Sequence, residues 1–584
     1  MENWFIKNRK ADFNAIMSRC GCSEVLARCL VNRGLEDLDE IEAYINPQLS
    51  KLHNPLLLKD MEKACLLLSA KIKEGKKIRI IGDYDVDGII ATYILYQALK
   101  KVGAQVDYDI PDRVKDGYGI NVHMVEEAKR ASVDTILTCD NGIAALEPIE
   151  RAKELRMTVI VTDHHDLAVI DEELVLPAAD AIVNPKQPDC SYPFAELCGA
   201  AVAYKLALAI LQKFEFPNIE QIGDKLLSYV AIATVCDVMD LVGENRIIVK
   251  YGLNMLQQTD NMGLLALMDA CGIEKEHLSA YHLGFVLGPC LNASGRLDIA
   301  KKGLALLLSQ SQEEARSLAH EVRELNELRK NMTADGVERA VQLIEETSLK
   351  DDKVLVVYLK DCHESIAGII AGRLKDRYYK PTLVLTDAEG CVKGSARSIE
   401  SYNVFEELSK CRHLLNKVGG HPMAAGFSLP ASNVEPLREQ LNKNTSLTDE
   451  MLVPKVTIDV LLPLGYLNEE LVEELKLLEP FGKGNEKPLF AEKDLTIKSA
   501  RVIGKNGNGI MFKVVNMYGK MMDALYFGDV EQFFNYLGER YGFEEAENLR
   551  TGRGTNIKLT VTYYPRINEY NGYRSMQILI QNYR

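Results

Sequence analysis

Three aspartates at alternate positions, Asp83, Asp85 and Asp87 in Gly82-Asp-Tyr-Asp-Val-Asp-Gly88, follow the apolar run Ile78–Ile81. Carboxylates this close repel one another unless a cation offsets their charge, and hard divalent cations take several oxygen ligands. Side chains two apart on an extended chain point the same way, so two or more of them can meet one ion. Taken alone, the stretch is equally explicable as a helix-starting turn, because Asp is a good N-cap. Three further segments tilt the balance. Cys139-Asp140-Asn141-Gly142 follows a second apolar run, though an Asp-Asn-Gly turn accounts for it in isolation. Thr162-Asp163-His164-His165-Asp166 follows a third, and there one imidazole can ligate while an aspartate orients its other nitrogen. Asp237 lies in the apolar helical segment Tyr229–Leu241, where an unpartnered buried carboxylate is expensive. These segments hold enough ligands for two divalent ions about 3.5–4 Å apart, an arrangement that activates a water and stabilises the leaving oxygen in phosphodiester cleavage. No Ser/His/Asp elbow, Walker A loop or GxGxxG follows a strand-like run. Hydrolysis at phosphorus is the leading chemistry.

The elements that must position these groups are legible as a β–α alternation. Short β-rich runs ending at Asp83, Asp140 and Asp163 are each followed by a helical stretch or a loop, the pattern of a mostly parallel α/β sheet. Ligands in such sheets collect outside the carboxyl ends of the strands, so the acids face one crevice. Residues 301–347 are charged, Pro-free and apolar at helical spacing, which predicts one or two long helices joining two lobes. A second α/β unit follows, with strands near Val354–Tyr358, Pro381–Leu385 and Cys391–Gly394 and Gly-rich signals at Gly419–Phe427. From Pro454 the pattern turns to short alternating strands separated by turn dipeptides such as Asn506-Gly507 and Asn571-Gly572, which predicts a small barrel of the OB type.

Composition sets the outer bounds. With 584 residues, 47% of them hydrophobic and 26% charged, the chain is long enough for three or four domains with real cores. A net charge of −15 argues against coating nucleic acid through bulk charge but leaves room for local basic grooves. The 13 cysteines are odd in number and scattered through apolar segments, which suits reduced thiols. The start of the chain lacks a signal-peptide core and no run of 18 apolar residues follows, so a cytoplasmic protein without a membrane span is expected.

The ordered set DYDVDG, CDNG, DHH and ATVCDVMDL resembles the motifs of the DHH phosphoesterase superfamily, and GSARS with GGHPMAAGF resembles its DHHA1 partner domain. Further stretches, Pro111–Gly119, Leu291–Asp298, Leu477–Phe490 and the ending at Ile567–Ile580, are similar to the RecJ family of bacterial single-strand-specific DNA exonucleases. The resemblance implies Asp85, Asp87, Asp140, His164 and Asp237 as metal ligands, with Asp83 ligating or bracing them, Asp163 orienting a histidine and His165 touching the scissile phosphate or standing behind the ligands. It implies substrate contacts from Arg113, Arg296, Ser395, Arg397, Gly419, Gly420 and His421. Arg suits fork-like contact with phosphate oxygens, and Gly-Gly amides can approach a phosphate closely. It further implies two Mn²⁺ or Mg²⁺ ions, 5′ to 3′ polarity, release of nucleoside 5′-monophosphates, and a role in recombination and repair. Single-stranded DNA, a single-stranded-DNA-binding protein and a RecQ-type helicase are the implied partners of a monomer.

The expected architecture is α/β. An N-terminal helical segment spans 1–70, a DHH lobe 71–300, connecting helices 301–347, a DHHA1 lobe 348–453 and an OB-like barrel 454–584. In the barrel, Arg550, Arg553, Lys558, Arg566 and Arg574 alternate with Tyr563, Tyr564, Tyr570 and Tyr573, which suits base stacking in a single-strand groove. Competing readings are a phosphodiesterase for short RNA oligonucleotides or cyclic dinucleotides, a pyrophosphatase, or an inactive replication scaffold. Such small-substrate enzymes lack the barrel, and intact acids in all four motifs argue against the scaffold.

Overall fold

The strand Lys77–Ile81 buries Ile78, Ile80 and Ile81 while half-buried Lys77 and Arg79 pair with Asp107, and it occupies the second position of a five-stranded, all-parallel sheet. The structure, a computed structural model, describes every residue except 1, 114, 171, 172, 299, 505, 506, 554 and 571, together with the side chains of 170 and 570. The strand order is Gln105–Asp109, Lys77–Ile81, Thr135–Cys139, Thr158–Thr162 and Ala181–Val183. The two outermost strands are additions to the expected set: Gln105–Asp109 carries two acids and Ala181–Val183 has only three residues, so neither stands out as a strand. The three central strands stop at Ile81, Cys139 and Thr162, so the acids begin the loops beyond them rather than ending the strands. Asp140 shows why: its φ of 61° is left-handed and cannot continue a strand.

Leu49–Pro454 form one compact unit containing this sheet and a second, mixed one. In the second sheet the order is Lys417–His421, Ala424–Leu429, Cys391–Arg397, Thr382–Ala388 and Leu355–Tyr358. Its Gly-rich part is a tight hairpin, with Gly419 opposite Gly426 and His421 opposite Ala424. The connector is two helices, Lys301–Leu308 and Gln312–Glu346, and Ser311 starts the second by accepting from the Glu314 amide.

Met1–Gln48 and Lys455–Arg584 form the other unit. Five of its strands close a ring, because Phe490–Ile503 pairs with Gly509–Val515 on one side and Lys558–Tyr570 on the other. Met521–Phe527 and Tyr573–Tyr583 complete the circuit. The helices Val530–Tyr541 and Phe543–Arg550 interrupt the strand series. Of the expected turns, Asn506 and Asn571 lie outside the described residues. The chain start is built into this unit. Asn3–Ile6 pairs in parallel with Lys455–Ile458, and Leu26, Leu30 and Ile41 share one core with Leu475, Phe490, Phe512 and Tyr563. No described helix is long and apolar enough to cross a membrane.

Leu30 is fully buried in this shared core, so Leu30→Ala should cost about 2–5 kcal/mol. The fall is read as a lower urea midpoint for unfolding of this unit. Met517→Ala, at a residue 77% exposed, should stay within about 0.5 kcal/mol of the parent.

Candidate metal centre

Each acid is placed by a backbone device. Asp85 caps the helix Val86–Lys101 by accepting from the Gly88 amide at 3.1 Å. The Asp87 carboxylate reaches across to another helix, Gly199–Lys213, and accepts from the amides of Gly199 (2.6 Å) and Ala200 (2.8 Å) at its positive end. Asp140 is pinned by its amide on the Thr162 carbonyl (3.1 Å) and by the Tyr118 hydroxyl, which donates to the Asp140 carbonyl at 2.8 Å. Asp163 accepts from the amides of His164 (2.7 Å), His165 (3.1 Å) and Ile143 (2.9 Å). Its Oδ1 also stands 2.8 Å from His165 Nδ1. Asp237 occupies the C-cap of the helix Ile219–Cys236, so it ends the apolar segment rather than lying inside it. Gly199 permits this closeness: a Cβ there would come within 2.5 Å of Asp140 Oδ1.

These devices aim the side chains at one space. His164 Nε2 is 3.1 Å from Asp140 Oδ1 and 3.7 Å from both Asp87 Oδ2 and Asp237 Oδ2. Three overlapping sets, Asp140–His164–His165, Asp87–His164–Asp237 and Asp83–Asp85–Asp140, each bring one ligand atom per residue within 4.8 Å of the others. Burial and then the neighbouring carboxylates push Asp83, Asp85, Asp140 and Asp237 above the usual carboxylate range. Burial would raise Asp163 as well, but its bond to His165 and the charge there outweigh it and hold the group low. For His165, burial is outweighed by Asp163, which raises the imidazole to about 9. Both ring nitrogens of buried His164 and Asp140 Oδ1 have no hydrogen-bond partner among the described residues. Buried polar atoms are rarely left so, and a ligand set of carboxylates and one imidazole fits hard divalent cations such as Mn²⁺ or Mg²⁺.

A second group carries positive charge. Arg296 Nη1 donates to the Ser365 carbonyl at 2.6 Å, joining the first lobe to the helix Glu364–Tyr378 of the second. Arg397 donates to Ser395 Oγ (3.2 Å) and the Ala396 carbonyl (2.7 Å), and the Arg113 guanidinium lies 4.7 Å from the Tyr84 ring centre. Burial, then the charges of Arg113 and Arg329, lower Arg296 to about 10; burial and Arg113 lower Arg397. Arg113 thus lowers two neighbouring arginines, and with no carboxylate paired to these three among the described residues they make a ready anion site. Gly419, Gly420 and His421 line the exposed hairpin, where His421 Nδ1 is 3.6 Å from Asp166 Oδ2 of the first lobe. Gly420, at φ 151°, has no room for a side chain, since a Cβ would stand 2.4 Å from the Ala424 carbonyl.

Sequence reasoning passed over Tyr118, which touches both Asp140 and His165, although it stands in the stretch Pro111–Gly119. It also passed over Gly199 and Arg329, which carry no local motif. The expected tyrosine platform is corrected in part: Tyr563 and Tyr564 face the barrel core, where the Tyr563 hydroxyl bonds the Leu462 carbonyl. Tyr573 is 82% exposed, and the Tyr570 side chain lies outside the described residues. Arg550 is paired with Glu531 and Arg574 with Glu469 and Glu473, so these cations are engaged within the barrel unit.

Family models match three stretches: the N-terminal domain of the DHH family at residues 77–234, the DHHA1 domain at 351–446 and the RecJ OB domain at 458–582. The single-stranded-DNA-specific exonuclease RecJ of Bacillus subtilis is 34% identical over 584 residues, 99% of this chain and 70% of the relative. The chain belongs to the RecJ family. RecJ of Escherichia coli is 31% identical over 581 residues, 96% of this chain and 95% of the relative. The structure of Thermus thermophilus RecJ in complex with Mn²⁺ superposes with a TM-score of 0.81 at 26% identity, covering 100% of this chain and 79% of that one. The corresponding Mg²⁺ complex gives 0.75 at 25% identity, covering 100% of this chain and 78% of that one. The two α/β lobes and the C-terminal OB barrel are thus the RecJ architecture.

Gly199→Ala should drive Asp140 out of position and weaken Mn²⁺ binding by about 10–100-fold, the effect typical of groups that support a metal ligand. Titration calorimetry measures it. Unchanged affinity would mean that Asp140 does not depend on the Gly199 gap.

Proposed function

We propose that this RecJ-family protein is a metal-dependent exonuclease that degrades single-stranded DNA from its 5′ end and releases nucleoside 5′-monophosphates in recombination and repair. The observation that carries the reading is the buried cage in which His164 Nε2 and Asp140 Oδ1 lack partners amid four acids raised by burial and mutual repulsion. Asp85, Asp87, Asp140, His164 and Asp237 would hold two Mn²⁺ or Mg²⁺ ions, with Asp83 ligating or bracing them. Bound there, the ions supply an activated water and stabilise the leaving oxygen of the scissile phosphodiester. Asp163 orients His165 and favours its protonated form, and the ring touches the scissile phosphate. Arg113, Arg296, Ser395 and Arg397 take the 5′-terminal phosphate, while Gly419, Gly420 and His421 border the nucleotide. A fixed distance between an end-binding arginine set and the cage makes cleavage proceed from that end. The lobes are 71–300 and 348–453, bridged by 301–347, with the barrel at 454–584 and an N-terminal segment at 1–70. The protein works in the cytoplasm as a monomer beside a single-stranded-DNA-binding protein and a RecQ-type helicase.

Two outcomes test the roles. Asp140→Asn or His164→Ala should lower kcat on single-stranded DNA by more than about a hundredfold with folding intact, and chelator should abolish the parent's activity. Retained activity in either variant would sink the cage. Arg397→Ala should raise KM for a 5′-phosphorylated strand by about 10–100-fold while leaving a 5′-hydroxyl strand unchanged, since a bond to a charged group is worth about 1.5–3 kcal/mol. End-labelled strands report polarity in the same assay, and shortening from the 3′ end would overturn it.

A further inference from the structure

Away from the cage, two thiols meet where three helices of the first lobe and connector converge. Cys271 caps the C-terminal end of the helix Met262–Ala270, and Cys290 lies in the helix Gly288–Leu297. Their sulfurs are 3.8 Å apart. Asn326 of the long helix Gln312–Glu346 donates to Cys290 Sγ at 3.3 Å. The two cysteines differ in access: Cys290 is 1% exposed, whereas Cys271 is half-buried. They differ in electrostatics too. The Cys290 contact lowers the Cys271 thiol, helped by Arg323 and Lys330 against burial and Glu327. Cys290 is pushed up by the same contact and by burial. One accessible thiol with thiolate character beside a buried partner thiol is the arrangement of an attacking and a resolving cysteine.

The helix that holds Cys290 also reaches the working parts. Asn292 Oδ1 accepts from the Val86 amide at 3.1 Å, at the start of the helix that Asp85 caps. Gly295 packs so closely under the Tyr84 carbonyl that a Cβ would stand 2.3 Å from it. One residue on, Arg296 bridges to Ser365 of the second lobe. A bond that draws Cys290 toward Cys271 pulls on the segment bracing the Asp83–Asp87 loop and on an arginine of the anion site. Closing a disulfide from 3.8 Å shortens the sulfur separation by nearly half, to about 2.05 Å.

We propose that Cys271 and Cys290 form a reversible redox switch in which a peroxide closes a disulfide and slows the nuclease. In the first step the Cys271 thiolate attacks the peroxide. The O–O bond breaks, one oxygen remains on sulfur as a sulfenic acid, and the other leaves as the alcohol or water after taking up a proton. In the second step the Cys290 sulfur attacks the sulfenic sulfur. The S–S bond forms, the S–O bond breaks, and the hydroxide departs with the Cys290 proton as water. Two electrons pass from the paired thiols to the peroxide, and a dithiol reductant returns them.

The full-length protein is treated with hydrogen peroxide, desalted, supplied with Mn²⁺ and assayed on single-stranded DNA, with an aliquot mapped by peptide mass spectrometry. The expected result is a Cys271–Cys290 cross-linked peptide and a loss of activity of about fivefold or more, the lower end of coupling between separated sites. Dithiothreitol should reverse both. Cys271→Ser and Cys290→Ser proteins, fully active before treatment, should form no such peptide and keep their activity. Absence of the cross-link overturns the switch, as does a cross-linked protein with unchanged activity or an equal loss in Cys271→Ser.

Discussion

Like-charge crowding beyond the carboxyl ends of a parallel sheet is the constraint on which the rest of this molecule depends. Asp83, Asp87, Asp140 and Asp163 are each no more than 2% exposed, where desolvation alone disfavours the ionised form. The fold neutralises some of them itself. Asp87 sits on two amides at the start of the helix Gly199–Lys213, and Asp163 on three amides and the His165 ring. Both acids are met by protein donors, although Asp87 Oδ2 also lies 3.7 Å from His164 Nε2 and can reach a shared cation. Asp140 and His164 are not so met, and their free atoms point into the space that Asp85 and Asp237 also border. The same economy of amides that stabilises two carboxylates therefore leaves a defined remainder for cations.

The net charge of −15 and an anionic substrate are reconciled by segregation. The acids gather at one sheet edge, while Arg113, Arg296 and Arg397 gather near Ser365 and Ser395, where burial and mutual repulsion depress two of the guanidinium groups. Segregation needs a rigid spacer. The helix Gly288–Leu297 is one, touching the Asp85 loop through Asn292 and the second lobe through Arg296. In the proposed function, a phosphate at the arginines and a phosphodiester at the cage would be held at a fixed separation, which converts end recognition into a choice of bond.

How much of this is legible in the residues follows from the range of the forces involved. The acid triplet, the Asp-His-His run and the strands before them are local patterns, and they predict both the sheet and the side of it on which the acids converge. The long connector is equally local, since a charged, Pro-free, periodic stretch has few other folds. Partners set by tertiary contact are not local. Nothing near Asp87 announces that its carboxylate caps a helix more than 100 residues later, as its bond to Gly199 does with a separation of 112. Tyr563 and Tyr564 read as a stacking surface because tyrosine is common on both faces of a strand, and only tertiary packing buries both faces at this point.

The chain start illustrates the same limit with a consequence for the barrel. Its helices Phe13–Cys20, Glu24–Val31 and Leu38–Ile45 look like an independent N-terminal bundle, yet each is only eight residues long and below the length that persists alone. Their apolar faces are buried in the barrel's own core, beside Leu475, Leu478 and Phe490. Removing the chain from Pro454 onward would strip those faces of their cover and create a new apolar surface at the opposite end of the sequence. A truncated protein that failed on long strands could thus have lost DNA contacts or merely acquired a sticky, unfolded start. A part for the barrel in DNA binding would be separable only through groups that no core needs, and Tyr573, 82% exposed where Tyr563 and Tyr564 are buried, is such a group.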